Sequence, residues 1–254
     1  MTGMTLNLID DDYDIWKIFV FKNYWKSEMV TLKINFNFKK TGTTIIGLLF
    51  KDGIILAADT RATNGKVICD VACDKIHFIS KNISCCGAGT SADNEYLTKT
   101  IFEQTELQEN FTEKEPQLQS VAFFLKNILY RFQGFISAAL ILAGFDSVGG
   151  KLYGIYPHGL VENSYFITMG SGSLASASIL EKFYSDYMDL RIGLNLAKES
   201  ILAGIYNDLG SGGNVDICII KKKSIKLIRN QINRFSSSDV FSCCMYVSEF
   251  CNVF

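Results

Sequence analysis

Few residues in this chain can carry covalent chemistry. Only two histidines occur, His77 and His158, and no Gly-x-Ser-x-Gly turn follows a strand-like run, so a serine–histidine–aspartate system is poorly supplied. A hydroxyl nucleophile can instead use a chain-terminal amine as its base, because an α-amino group titrates near pH ~8 and accepts a proton near neutrality. That chemistry needs a hydroxyl residue that becomes the first residue after a cut. Thr43, preceded by Gly42, fits it. Its Oγ can attack the preceding carbonyl, take over the acyl group and release the leader on hydrolysis, and glycine leaves that approach unencumbered. Thr41-Gly42-Thr43-Thr44 also reads as a turn entering a β-branched strand, which is the simpler account on spacing alone.

Other residues bear on the choice. Asp59 closes the run Ala57-Ala58-Asp59, and Lys75 sits in Cys73-Asp74-Lys75-Ile76. A buried lysine near the nucleophile lowers the pKa of its hydroxyl and amine, and a carboxylate beside that lysine holds it charged and oriented. Read separately, Asp59 starts a turn and Lys75 is a solvated side chain. Cys86-Gly87-Ala88-Gly89-Thr90 is a small-residue turn whose amides can face a developing oxyanion, or simply a tight turn. Gly170-Ser171-Gly172-Ser173 and Asp208-Leu209-Gly210-Ser211-Gly212 offer hydroxyls and a carboxylate for a free amine, and read equally as helix-capping loops.

These residues must be placed by an ordered set of elements. Thr43–Phe50 and Ile54–Asp59 read as strands joined through Lys51-Asp52-Gly53, an Asp-Gly hairpin turn. Further strands are expected at Lys66–Ala72, Ile76–Ser80 and Asn82–Gly87. Thr90-Ser91-Ala92-Asp93 matches a capping box that opens a helix to about Gln108. A second helix has Pro116 in its first turn and Val121, Phe124, Leu125 and Ile128 at helical spacing. Ala138–Phe145 and Lys151–Tyr156 form a hairpin around Gly149-Gly150. Helices at Ser173–Ser185 and Gly193–Leu209 precede strands at Val215–Ile220 and Ile225–Arg229. Strands do not alternate singly with helices, which disfavours a doubly wound sheet. Two antiparallel sheets face to face, with helix pairs outside, fit the order. Residues 1–42 lack periodicity and read as a removable or weakly ordered leader, residues 43–230 as the domain, and residues 231–254 as a tail that needs a partner to cover it.

Composition narrows the class. The 254 residues carry a net charge of −1, so no basic field points to nucleic acid or an anionic membrane. Asp10, Asp11, Asp12 and Asp14 stand where a secretory signal would be basic, and no apolar run has membrane-span length. The eight cysteines include no CxxC pair, which argues against a zinc site. Neighbouring Cys85 and Cys86 should point to opposite faces of a strand as buried thiols in a reducing compartment. A soluble intracellular protein is expected.

Together the motifs closely resemble the catalytic beta subunits of the proteasome, N-terminal-nucleophile hydrolases. The likeness runs from about Lys40 to about Ile228, through Lys40-Thr41-Gly42-Thr43-Thr44, Lys51-Asp52-Gly53, Ala58-Asp59-Thr60-Arg61, Cys85-Cys86-Gly87-Ala88-Gly89-Thr90, Tyr156-Pro157-His158-Gly159, Met169-Gly170-Ser171-Gly172-Ser173 and Asn207-Asp208-Leu209-Gly210-Ser211-Gly212. The resemblance implies an α+β, four-layer sandwich of two antiparallel sheets between two helix layers. It implies a cut between Gly42 and Thr43, with Thr43 as nucleophile and its freed amine as base. Lys75 would tune the proton transfer with Asp59 as partner, the Gly89 amide would serve the oxyanion, and Ser171, Asp208 and Ser211 would position the N-terminus and a water. It resembles most the trypsin-like type, which cuts after basic residues. Gly87 would leave room in that pocket, Asp93 and Glu95 would make it acidic, and Cys73 and His77 would line it. As acids in a helix first turn, Asp93 and Glu95 also complement the macrodipole by a few tenths of a kcal/mol, about 0.3 or more each. The implied partners are the other alpha and beta subunits in stacked seven-membered rings and peptide substrates, with no nucleic acid or membrane, no cofactor and no metal, in cytoplasm and nucleus. The leader before Lys39 and the short, cysteine-rich tail depart from the family. Two alternatives stay open: a ring subunit that does not cut, and a small-molecule amidase of the same fold.

Overall fold

A computed structural model of the protein describes residues 41–146, 149–222 and 224–231. The expected leader, except Thr41 and Gly42, and the expected tail, except Gln231, lie outside the described residues.

The chain opens with β1 (Thr44–Phe50), β2 (Gly53–Asp59), β3 (Ala62–Asn64), β4 (Val67–Asp70), β5 (Ile76–Phe78) and β6 (Ile83–Gly89). Helices α1 (Ser91–Thr112) and α2 (Leu118–Phe132) follow, then β7 (Ala138–Phe145), β8 (Gly150–Ile155), β9 (Val161–Asn163) and β10 (Phe166–Gly170). Helices α3 (Ser173–Phe183) and α4 (Leu190–Asn207) lead into β11 (Val215–Lys221) and β12 (Ser224–Ile228). One five-stranded sheet has the order β10-β1-β2-β11-β12 and the other β5-β6-β7-β8-β9, with β3-β4 a separate ribbon. Their pairings are antiparallel throughout.

Both sheets are covered on both faces, so their strands read as unbroken apolar runs rather than as alternating ones. The period of two survives in what each face touches. On β2, Ile54, Leu56 and Ala58 enter the core between the sheets, while Ile55 and Ala57 join Leu180, Leu196, Ala197 and Ile201 of α3 and α4. On β7, Ile141 and Ala143 face the same inter-sheet core, while Leu140 and Leu142 meet Leu97, Ile101, Val121 and Leu125 of α1 and α2. The result is the expected α+β sandwich of four layers. Cys85 and Cys86 obey the same rule, Cys85 facing the helices and Cys86 the inter-sheet core. Burial pushes the Cys85 thiol up to about 12, so it stays protonated and unreactive.

Three expectations at helix starts and strands need correction. The Thr90–Asp93 capping box does not form. The Thr90 side chain makes no capping bond, and Asp93 Oδ2 instead accepts from the Ser137 amide at 2.9 Å. That tie brings the start of α1 to the segment entering β7. Pro116 lies before the second helix rather than in its first turn: Gln117 is the cap, and fully buried Leu118 is the first helical residue. Strands β3, β9 and β10 were not foreseen. Only two of the five β10 residues are buried, which left little apolar signal. Yet β10 pairs along β1, with Thr44 opposite Gly170.

Gly47 marks the tightest spot between the sheets. A Cβ there would lie 2.7 Å from Leu152 Cδ1 and 2.9 Å from Ile141 Cγ2. Gly47→Val should therefore destabilise the fold by about 1–3 kcal/mol through overpacking, read as a lower urea midpoint with unchanged slope.

Candidate active site

The register of β1 on β2 sets the site. Ile45 pairs with Ala58, so Asp59 arrives beside the start of β1. Its Oδ1 accepts the Thr44 amide at 2.9 Å and the Lys75 ammonium at 2.7 Å. Its Oδ2 accepts the amides of Gly212 at 3.0 Å and Arg61 at 3.3 Å. Asp59 is 0% exposed and Lys75 8%. Cation and amides take the place of the water that so buried a carboxylate lacks. Lys75 stands just ahead of β5, its carbonyl accepting the Gly87 amide at 3.0 Å.

Lys75 Nζ also donates to Thr43 Oγ1 at 3.2 Å, and that hydroxyl donates to the Gly42 carbonyl at 2.7 Å. The nucleophile expected from the sequence thus lies against its own preceding carbonyl, bonded to a lysine whose charge is matched. Gly42 has a reason beyond hydroxyl access. A Cβ on it would run into the main chain of Gly210, so the Asp208–Gly212 loop lies directly against Gly42. Thr41 Oγ1 donates to the Gly89 carbonyl at 3.2 Å, and Gly89 holds φ +110, which favours glycine.

The nitrogen side of Thr43 is held separately. The Thr43 amide donates to Ser171 Oγ at 3.1 Å, and Ser171 Oγ donates to Asp208 Oδ2 at 2.5 Å. Ser211 Oγ also donates to Asp208 Oδ2, at 2.6 Å, and lies 2.8 Å from Thr44 Oγ1. Burial pushes the Asp208 carboxyl up, but hydrogen bonds from Ser171, Ser211 and the Gly210 amide outweigh it and hold the group below its ordinary value. Unforeseen β10 is what delivers Ser171 here.

A cavity of about 310 Å³ opens beside Thr43 and Lys75. Of the residues expected at a substrate pocket, Cys73, His77, Gly87 and Glu95 line it, and so does Gly89, expected at the oxyanion. Asp93 does not, since its carboxylate is turned to Ser137. Asp74, Ser91 and Asn94 line it and were passed over in the sequence. Asp74 directly follows Cys73, and Asn94 sits between the two acids that drew notice. Gly87 lies against the Asn94 side chain, where a Cβ would come 2.9 Å from Asn94 Cγ. Burial pushes His77 below its ordinary value, against the pull of Asp74 and Glu95, so it is neutral at pH 7. Burial pushes Cys73 up, with Lys75 opposing. Asp74 makes a two-pronged pair with Arg229, at 2.6 and 3.1 Å, tying the end of β12 to the cavity wall.

A family profile described as "Proteasome subunit" matches residues 39–220, which include every residue of this site except Arg229. The chain belongs to the proteasome subunit family. It is 49% identical over 194 residues to proteasome subunit beta type-7-A of Arabidopsis thaliana, covering 76% of this chain and 71% of that protein. Identity is 46% over 191 residues to beta type-10 of Mus musculus, covering 75% and 70%. It is 43% over 193 residues to beta type-2 of Saccharomyces cerevisiae, covering 76% and 74%. A proteasome beta subunit works in assembly with other proteasome subunits, and the site described here belongs to such a subunit.

The Asp208 cluster has a pH signature. A carboxyl held below its unfolded value of 3.8 adds stability that is complete above that value and is lost as pH falls through the folded one. Ser171→Ala removes one of the bonds holding it down. The carboxyl should titrate higher by NMR, and the acid-unfolding midpoint should rise relative to wild type.

Proposed function

We propose that this beta subunit is a threonine endopeptidase of the proteasome core, made as an inactive precursor and cutting after basic residues. The observation that carries the reading is Thr43 Oγ, 2.7 Å from the carbonyl oxygen of Gly42 and 3.2 Å from a buried lysine paired with Asp59.

In the precursor, Thr43 Oγ bonds to the Gly42 carbonyl carbon as the Gly42–Thr43 amide breaks. The hydroxyl proton ends on the Thr43 nitrogen, and an ester remains. Water cleaves the ester, leaving a Gly42 carboxylate, a restored Thr43 hydroxyl and a free amine. That amine then serves as base toward substrate. It takes the Oγ proton as Oγ attacks the peptide carbonyl and passes it to the leaving amine. A second water resolves the acyl-enzyme. Lys75 donates to Oγ throughout and stabilises the charge that grows there as the proton leaves. The Gly89 amide serves the oxyanion. Ser171 already accepts from the Thr43 nitrogen, and with Asp208 and Ser211 behind it would hold that nitrogen and a water for proton transfer.

The cavity takes the side chain preceding the cut. Glu95 gives it negative charge, that of Asp74 is matched by Arg229, and His77 adds none, which favours lysine and arginine. The subunit would sit in a seven-membered beta ring stacked on others, in cytoplasm and nucleus, and needs no metal or cofactor for these steps.

The test uses particles assembled with the variant chain and a fluorogenic peptide ending in arginine. Thr43→Ala should lower kcat by about a thousandfold or more, as expected for loss of a nucleophile, while Thr43→Ser keeps measurable turnover. Equal turnover by wild type and Thr43→Ala would leave a ring subunit that does not cut. Wild-type hydrolysis of small amides in preference to peptides would leave an amidase.

A further inference from the structure

Thr44 follows the nucleophile, and its two polar groups meet different arms of the site. Its amide donates to Asp59 Oδ1 at 2.9 Å, and its hydroxyl lies 2.8 Å from Ser211 Oγ. The residue is fully buried. Two glycines shape its slot: a Cβ on Gly172 would collide with Thr44 Oγ1, and one on Gly204 with Thr44 Cγ2. The protons around Asp208 fix which hydroxyl donates. Burial pushes that carboxyl up, but its hydrogen bonds prevail and hold it below its ordinary value, so near neutral pH it is an anion that only accepts. Ser171 Oγ gives its single proton to Asp208 Oδ2 and therefore accepts from the Thr43 amide. Ser211 Oγ gives its own to the same carboxylate oxygen. In the Thr44–Ser211 bond the donor is therefore Thr44.

We propose that Thr44 is a positioning residue for the reaction: its hydroxyl, donating to Ser211 Oγ, orients the Ser211–Asp208–Ser171 chain that holds the Thr43 nitrogen. The inference rests on the peptidase reading above and goes beyond it. The hydrogen bonds run from Thr44 through Ser211, Asp208 and Ser171 to the nitrogen of the neighbouring Thr43, so the ring closes on the strand that carries the nucleophile. A hydroxyl that accepts a bond is a better donor, so Thr44 strengthens the grip of Ser211 on Asp208. Its amide meanwhile holds Asp59, the partner of Lys75. One buried threonine thus keeps the nitrogen-side and oxygen-side arms in register. The loop main chain has anchors of its own. Arg61 Nη1 donates to the carbonyls of Leu209 at 3.3 Å and Ser211 at 3.2 Å, and the Gly212 amide donates to Asp59 at 3.0 Å. Loss of the Thr44 hydroxyl therefore loosens the side chains and leaves the loop in place.

The test uses assembled particles and a fluorogenic peptide ending in arginine, with kcat counted per subunit that begins at Thr43. Thr44→Val keeps the branched shape and removes the donor; Thr44→Ser keeps the donor. Thr44→Val should lower kcat by about tenfold, the size of one lost hydrogen bond, with KM unchanged because Thr44 lies outside the cavity wall. Thr44→Ser should retain most of the turnover. In a Ser211→Ala background, where the chain is already broken, Thr44→Val should cause no further fall. If Thr44→Val does not assemble, Thr44→Ala is read the same way. An unchanged kcat, a fall that recurs in full in the Ser211→Ala background, or a Thr44→Ser variant as slow as Thr44→Val overturns the assignment and leaves the peptidase reading intact. A Thr43→Ala particle as active as wild type overturns both.

Discussion

The buried ion pair between Lys75 and Asp59 is the contact on which the rest of the site depends. One carboxylate joins four separate pieces of chain: the start of β1 through Thr44, the turn after β2 through Arg61, the Gly212 loop, and Lys75 ahead of β5. Thr44 lies in one sheet, and Lys75 adjoins the other. Removing either charge would strand its partner in a region without water, at a cost far above that of a surface pair. The exposed Arg229–Asp74 pair shows the contrast: half open to solvent on both sides, it fastens the end of β12 but contributes little to stability.

The layered fold explains why that pair can exist. Sheets covered on both faces supply a dry, rigid frame, and the strand ends emerge from it together. Thr43 enters β1, Asp59 leaves β2, Lys75 approaches β5, and Ser171 follows β10. The two halves of Thr43 are held by different groups. The hydroxyl bonds Lys75, which Asp59 holds, and the nitrogen bonds Ser171, which Asp208 holds together with Ser211. In the proposed reaction, a proton moving from oxygen to nitrogen would stay between fixed partners, with little rearrangement of the frame.

Much of this was legible in the residues because backbone rules are local. Asp-Gly between two apolar runs gave the first hairpin, and helical spacing gave α2. The site residues were legible only as a set, since Asp59 or Lys75 alone reads as an ordinary surface group. What escaped was decided by long-range contact. Asp93 looked like a helix cap and a pocket acid until the Ser137 amide, 44 positions away, claimed it. Strand β10 carries too few buried residues to announce itself, and Asn94 gains meaning only opposite Gly87. Gly42 was read as room for a hydroxyl, whereas its tightest neighbour is Gly210.

The central claim is that the nitrogen of Thr43 becomes the base only once the chain is cut in front of it. N-terminal sequencing of this subunit taken from assembled particles addresses it directly. The sequence should read Thr-Thr-Ile-Ile-Gly from Thr43 onward. A chain that still carries Gly42, or that begins at any other residue, contradicts the account.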